Sequence, residues 1–130
     1  MDKIRQVRMA SGISARRLAL LSGLSVTSIS NFEHGNIPSM KNLAKILVAL
    51  ELHVNKEMFV KLLRDKRKNL GATLDKIGRI VGLSHTIIHK AERGILPSIR
   101  SCCIIAKELD LPFDKIIKWP RKLVKPVHGT

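Results

Sequence analysis

Residues 15–35 read ARRLALLSGLSVTSISNFEHG, and residues 74–94 read LDKIGRIVGLSHTIIHKAERG. Sliding the chain by 59 positions lays one stretch on the other without a gap. The register holds well outside the quoted core. Arg8 falls on Arg67, Gly12 on Gly71, Glu33 on Glu92, Pro38-Ser39 on Pro97-Ser98 and Leu50 on Leu109. An ungapped self-match of this length reads as two copies of one small domain. The expected organisation is a first unit over residues 1–57, a second over 58–118 and a basic tail over 119–130. Each unit of about 55 residues is long enough for only a marginal core.

Each copy has the same local grammar. A short helix carrying Leu18, Ala19 and Leu21 in copy one runs into a Gly-Leu-Ser break, and a second helix follows over about 26–33, or 85–92 in copy two. Ser14 and Thr73 are placed to cap the first of these helices, Ser25 and Ser84 the second, and Ser39 and Ser98 a further one. That further helix carries Leu43, Ile46, Leu47 and Leu50 at helical spacing. Residues 2–11 form the opening helix, with Ile4 and either Val7 or Arg8 inward and Gly12 as its stop. Ala19 and Gly78 are both small, which lets two helices approach closely. A short helix, a tight break and a second short helix make the helix-turn-helix pattern, whose second helix enters the DNA major groove. The fold class is all-α.

Between the copies, Asn55 caps a helix through KEMFVKLLRDKRKNL to Leu70. Residues 55–69 contain no Gly, Ser or Pro, so a helical connection shared by both units is expected in place of a flexible linker. Pro112 starts a short helix, PFDKIIKW, and the tail PRKLVKPVHGT reads as extended chain. It either lies along a phosphate backbone or in a minor groove, or ends as a solvated terminus.

The fuller pattern in copy one is S-x-R-R-L-A-x-x-S-G-L-S-x-T-x-I-S-N-F-E-H-G-x-x-P-S. It resembles the phage Cro and repressor family, of the xenobiotic-response-element type. The resemblance covers residues 4–54 and 63–113. It implies two tandem lambda-repressor-like units whose outward residues early in the second helix read bases. These are Val26, Thr27, Ser28 and Asn31 in copy one, and His85, Thr86, Ile87 and Lys90 in copy two. Asn bonds adenine bidentately, Lys reaches guanine acceptors, and Val or Thr methyls suit thymine. Copy two therefore dominates affinity. Copy one either reads a thymine-rich half-site or does not read DNA. The resemblance also implies that Arg8 pairs with Glu33 and Arg67 with Glu92, as structural ion pairs and not as DNA contacts. Phosphate contacts fall to helix N-termini and flanking cations: Arg16, Arg17, His34 and Lys41 in copy one, Lys76, Arg93 and Arg100 in copy two. The family usually has a Gln one residue into the first motif helix, touching backbone and its neighbour, where this chain has Ala15 and Leu74.

Composition points the same way. The chain has 24 Lys and Arg against 10 Asp and Glu, a formal charge of +14, which favours a polyanionic partner. The charge is uneven: residues 1–57 hold eight basic and four acidic side chains, and residues 58–130 sixteen and six. Tyr is absent, and the aromatics are Phe32, Phe59, Phe113 and Trp119. So few aromatics argue against single-strand binding by stacking. Cys102 and Cys103 align with Leu43 and Ala44 and read as buried apolar positions; adjacent cysteines staple nothing, which points to a reducing cytoplasm. His85, His89 and Glu92 share one helical face, but Glu92 has Arg67 as its partner and copy one has no equivalent, so no metal is expected. No catalytic constellation and no phosphate-cradling glycine loop appears, and neither an enzyme nor a cofactor is expected. No run approaches 18 apolar residues, so no membrane span is expected. RRLALL at 16–21 is too short for a signal-peptide core.

These readings converge on a sequence-specific regulator of transcription that binds double-stranded DNA in a bacterial cytoplasm, nucleoid-associated and of phage or mobile-element type. Two reading helices on one face of a duplex imply half-site centres about 10–10.5 base pairs apart, and their different residues imply an asymmetric site. A protein partner such as RNA polymerase or another regulator is compatible with this. The competing reading is a protein-interaction module, an anti-activator or antitoxin-like component, with Val26, Ile37 and Met40 as its contact patch. A sequence-independent nucleoid binder is the third.

Overall fold

The computed structural model describes residues 2–36 and 38–120, Asp2 by its backbone alone. It divides into two compact units. One comprises the described residues up to His53 together with Trp119 and Pro120, the other Val54–Lys118.

Unit one is built from α1 (Asp2–Ala10), α2 (Ala15–Ser22), α3 (Val26–Glu33) and α4 (Met40–Ala49). Serine fixes three of the starts. Ser14, Ser25 and Ser39 sit in extended backbone, and each side chain accepts a hydrogen bond from the amide three residues on, at Arg17, Ser28 and Asn42. Such caps satisfy amides that a helix start otherwise leaves unpaired. Gly23 stops α2 at φ 73°, and the Leu24 amide bonds back to the Ala19 carbonyl at 3.0 Å. Ile4, Val7, Leu18, Ile29, Phe32, Leu43, Ile46 and Leu47 are buried. These residues recur at helical spacing, so each helix turns one stripe to a shared core.

Unit two contains α5 (Lys56–Leu70), α6 (Leu74–Val81), α7 (His85–Glu92), α8 (Ile99–Glu108) and the single turn α9 (Phe113–Ile116). Asn55, Thr73, Ser84 and Ser98 cap the first four. Phe59, Leu63, Ile77, Ile88, Ile105 and Ala106 are buried. The helix α5 belongs to this unit rather than to both. Its cap Asn55 is tied in by its own backbone, whose amide donates to the Ile116 carbonyl at 2.6 Å. That bond also corrects the expected helix PFDKIIKW. The chain turns extended at Ile117 (φ −94°, ψ 137°) and forms β2 (Ile117–Lys118), which pairs with β1 (His53–Val54). The tail beyond Pro120 lies outside the described residues.

The two motif turns differ in one instructive way. A Cβ on Gly78 would stand 2.7 Å from the Leu83 carbonyl oxygen and 3.3 Å from the His85 nitrogen. Copy one carries Ala19 at this place, nearly buried. The closer approach in unit two therefore requires glycine, not merely a small residue. Both units also place a non-glycine residue in left-handed backbone after the helix that follows the motif, Glu51 and Asp110 at φ 56°.

Cys102 and Cys103 are both buried in α8 and form no disulfide. Burial, with the neighbouring Cys103 adding to it, pushes the Cys102 thiol from an ordinary 9.0 up to about 12, and burial pushes Cys103 up to about 11. An acid raised by folding stabilises the fold below its unfolded value and loses that contribution as pH climbs through its folded value.

Two outcomes follow. Gly78→Ala is expected to lower stability by about 1–2 kcal/mol, the overpacking penalty exceeding the helix-propensity gain, as measured by urea unfolding; an unchanged midpoint contradicts the tight approach. The stability difference between the parent chain and a Cys102→Ala/Cys103→Ala variant is expected to be constant below pH 9 and to move against the parent between pH 9 and about 11.

Candidate nucleic-acid interface

The site is built outward from the second helix of each motif. In unit one, Ile29 and Phe32 of α3 are buried, which turns Val26, Thr27 and Asn31 to solvent and leaves Ser28 half-buried. In unit two, Ile88 and Ala91 of α7 are buried, His85, Thr86 and Lys90 are exposed, and Ile87 is half-buried. The cations assigned to phosphate in unit one, Arg16, Arg17 and Lys41, are exposed, as is His34. Those of unit two, Lys76, Arg93 and Arg100, are also exposed. Arg16, Arg17 and Lys76 lie in the first turns of α2 and α6, and Lys41 and Arg100 in those of α4 and α8. Exposed cations at helix starts suit an anionic ligand, since the amides there point outward. His34 Nδ1 lies 2.7 Å from the Ser30 carbonyl.

What fixes these helices is an ion pair repeated in both units. Arg8 Nε donates to Glu33 Oε2 at 2.6 Å and its terminal nitrogen to Oε1 at 3.0 Å. Arg67 makes the same two bonds to Glu92, at 2.6 and 3.0 Å. Only 12% of the Arg8 side chain and 8% of the Glu33 side chain reach solvent. The hydrogen bond that each guanidinium donates to its carboxylate raises it above its ordinary pKa, against the opposing pull of burial. The pairs use the arginines differently beyond the carboxylate. Arg8 also donates to the Ile13 carbonyl at 2.9 Å, pinning the turn after α1. In unit two a second arginine enters: Arg64 donates to the Glu92 backbone carbonyl at 2.8 Å. The spacing of charges along α5 (residues 61, 64, 65 and 68) gives no hint of this role.

The face of unit one expected to read bases is richer in amides than its sequence indicates. Ser28 and Asn31 of α3 line one recess of about 220 Å³ with Asn36 and Asn42. Asn36 follows α3, and Asn42 lies in the first turn of α4, where its amide is bonded to Ser39. Neither is near Asn31 in sequence, and only the turn between the helices brings the three together. Met40, by contrast, is buried and cannot join a contact patch with Val26; it belongs to the core stripe of α4. Ile37, the third member of that patch, lies outside the described residues.

In unit two, His85 Nδ1 stands 3.6 Å from Asp75 Oδ1. Glu92 is engaged by arginine, and no group of three His, Cys, Asp or Glu among the described residues could hold a metal ion. No helix among them is long and apolar enough to cross a membrane.

Residues 4–56 match the model of a helix-turn-helix family. The match agrees with the α2–Gly23–α3 arrangement of unit one. No curated protein and no solved structure matches the chain.

The ion pair sets a stability expectation. Glu33→Ala strands a nearly buried guanidinium and is expected to cost about 3–5 kcal/mol. Asp65→Ala, which removes the exposed Lys61–Asp65 pair of 3.2 Å, is expected to cost under about 0.5 kcal/mol. Urea midpoints of the two variants check the contrast, and equal losses would show that the Arg8–Glu33 pair carries no special weight.

Proposed function

We propose that this chain is a sequence-specific regulator of transcription, of phage or mobile-element type, that presents two recognition helices to double-stranded DNA. It acts in a bacterial cytoplasm on the nucleoid. The observation that carries the reading is the repeated anchoring of α3 and α7. Each is capped by serine at its start, buried through Ile29 and Phe32 or Ile88 and Ala91, and clamped by arginine at its end, with Val26, Thr27 and Asn31, or His85, Thr86 and Lys90, turned outward. A helix held rigidly at three points and left polar on one face is suited to reading a groove.

The two faces have different chemistry. Unit one offers amides: Asn31, supported by Asn36 and Asn42, fits adenine edges, and Val26 and Thr27 fit thymine methyls. Unit two offers His85 and Lys90, with Lys76, Arg93 and Arg100 for phosphates. Unit two therefore supplies more of the affinity, and unit one discriminates at A·T pairs.

A protein-docking role for unit one is the second reading. It is favoured by exposed Leu20, Val26 and Val48, of which Leu20 is 70% exposed.

Selection of bound duplexes from a random pool separates the readings. The intact chain is expected to enrich a split, asymmetric motif. Lys90→Ala is expected to relax one base position by about 1–3 kcal/mol, and a uniform loss across sequences would place Lys90 on phosphate only. Asn31→Ala is expected to relax a position in the other half. A motif indifferent to Asn31 would overturn reading by unit one and favour its protein-docking role.

A further inference from the structure

We propose that Asp75 is a specificity-determining residue: it positions the His85 imidazole for reading a base, in exchange for weaker attraction to phosphate. The inference rests on unit two binding DNA through α7.

The starting observation is an acid out of place. Asp75 lies in the first turn of α6, one residue past the Thr73-capped start. The repeat aligns it with Arg16 of unit one, an exposed cation at the start of α2. Unit two thus carries a carboxylate where unit one carries a guanidinium, although unit two is the more basic half of the chain. Stabilisation of a helix N-terminus by an acid is a sufficient reason for such a residue in general. Here the structure adds a second. His85, the first residue of α7, turns Nδ1 to Asp75 Oδ1 at 3.6 Å. The two line one surface recess of about 290 Å³ with Arg79, Leu83 and Ser84. The backbone below is rigid. Gly78 lets α6 and α7 approach to the point where no Cβ fits, and the Leu83 amide is bonded to the Gly78 carbonyl at 2.9 Å. The separation of Asp75 and His85 is therefore set by the motif turn and not by a mobile loop.

The chemical consequence is control of the ring. A carboxylate 3.6 Å from Nδ1 favours, in the neutral ring, the tautomer with its proton on Nδ1, and that tautomer leaves Nε2 as an acceptor. An acceptor at the start of a recognition helix suits the amino groups that adenine and cytosine show in the major groove. Without Asp75 the ring rotates and exchanges tautomers, so Nε2 offers a donor as readily as an acceptor and discrimination at that position fades. The cost is electrostatic, because a carboxylate near the DNA surface opposes the phosphates.

The test compares duplex selection and affinity for the intact chain, Asp75→Asn, His85→Ala and the double variant at one salt concentration. Both single sites are exposed, and circular dichroism confirms that each variant is folded. Asp75→Asn is expected to bind nonspecific duplex a few-fold more tightly while losing about fivefold of discrimination at one base position. His85→Ala is expected to lose discrimination at that same position, and the double variant no more than either. If Asp75→Asn shifts affinity uniformly and keeps the motif of the intact chain, Asp75 is only a charge and the proposal falls. If His85→Ala also leaves the motif intact, base reading by His85 is itself wrong. If no variant and no parent chain enriches a motif, the failure belongs to the regulator reading and takes this proposal with it.

Discussion

The arginine–glutamate pair that joins α1 to the end of α3, and α5 to the end of α7, is the constraint on which the rest depends. An eight-residue helix has too few internal hydrogen bonds to persist alone, so α3 and α7 exist because their surroundings hold them. The carboxylate comes at the last residue of the helix, where its neighbours in the chain are about to leave helical backbone. Burying it demands a partner, and the partner is supplied from a different helix. The geometry of the recognition helix is thereby tied to α1 in unit one and to α5 in unit two. Within the chain, the residues of this frame are the same in both copies: Arg8 and Arg67, Ile29 and Ile88, Glu33 and Glu92. Most of the outward residues are not: Thr27 and Thr86 agree, but Val26 stands against His85, Ser28 against Ile87 and Asn31 against Lys90. The frame fixes where the side chains stand and leaves their chemistry open.

This division also explains what could be read from the sequence. Caps, stops and core stripes are local properties, and the helices α2, α3, α6 and α7 begin and end where Ser, Thr and Gly place them. The ion-pair partners were legible only because the repeat showed the same spacing twice and the resemblance supplied a reason. Contacts distant in sequence were not legible. The Asn55 amide bonded to Ile116 ends α9 early, and nothing near Ile116 signals it. Asn36 and Asn42 join Asn31 only through the path of the turn after α3. Met40 was legible in principle, since residues 40, 43, 44 and 47 follow the spacing of a single helical face. Reading the stripe from Leu43 onward missed its first member.

The copies have diverged in their cores, where Phe32, Leu43 and Leu47 stand against Ala91, Cys102 and Ala106, and also on their surfaces. Met9, Leu20 and Val48 are exposed in unit one, and the repeat sets Lys68, Arg79 and Lys107, also exposed, in their places. The extra charge of the second half is thus carried partly at positions that are apolar in the first. Such exchanges leave folding almost untouched, because exposed side chains contribute little to stability. They change the potential around the unit, and so its attraction to a polyanion, a great deal.

Asp75 runs against that trend, which is why it is informative. Two identical recognition surfaces impose a symmetric site, as in a homodimer on a palindromic operator. Two different surfaces in one chain are released from that symmetry, and each can then balance attraction to phosphate against discrimination between bases separately. On the reading proposed above, unit one keeps a cation at the start of α2 and would read with amides that carry no charge. Unit two has cations in excess from Lys76, Arg93 and Arg100, so attraction is not what limits it. On the proposal above, a carboxylate that steadied the first side chain of α7 would give up a small part of that excess for a defined hydrogen-bonding edge. The same carboxylate in place of Arg16 would weaken a unit that has little charge to spare and no histidine to orient.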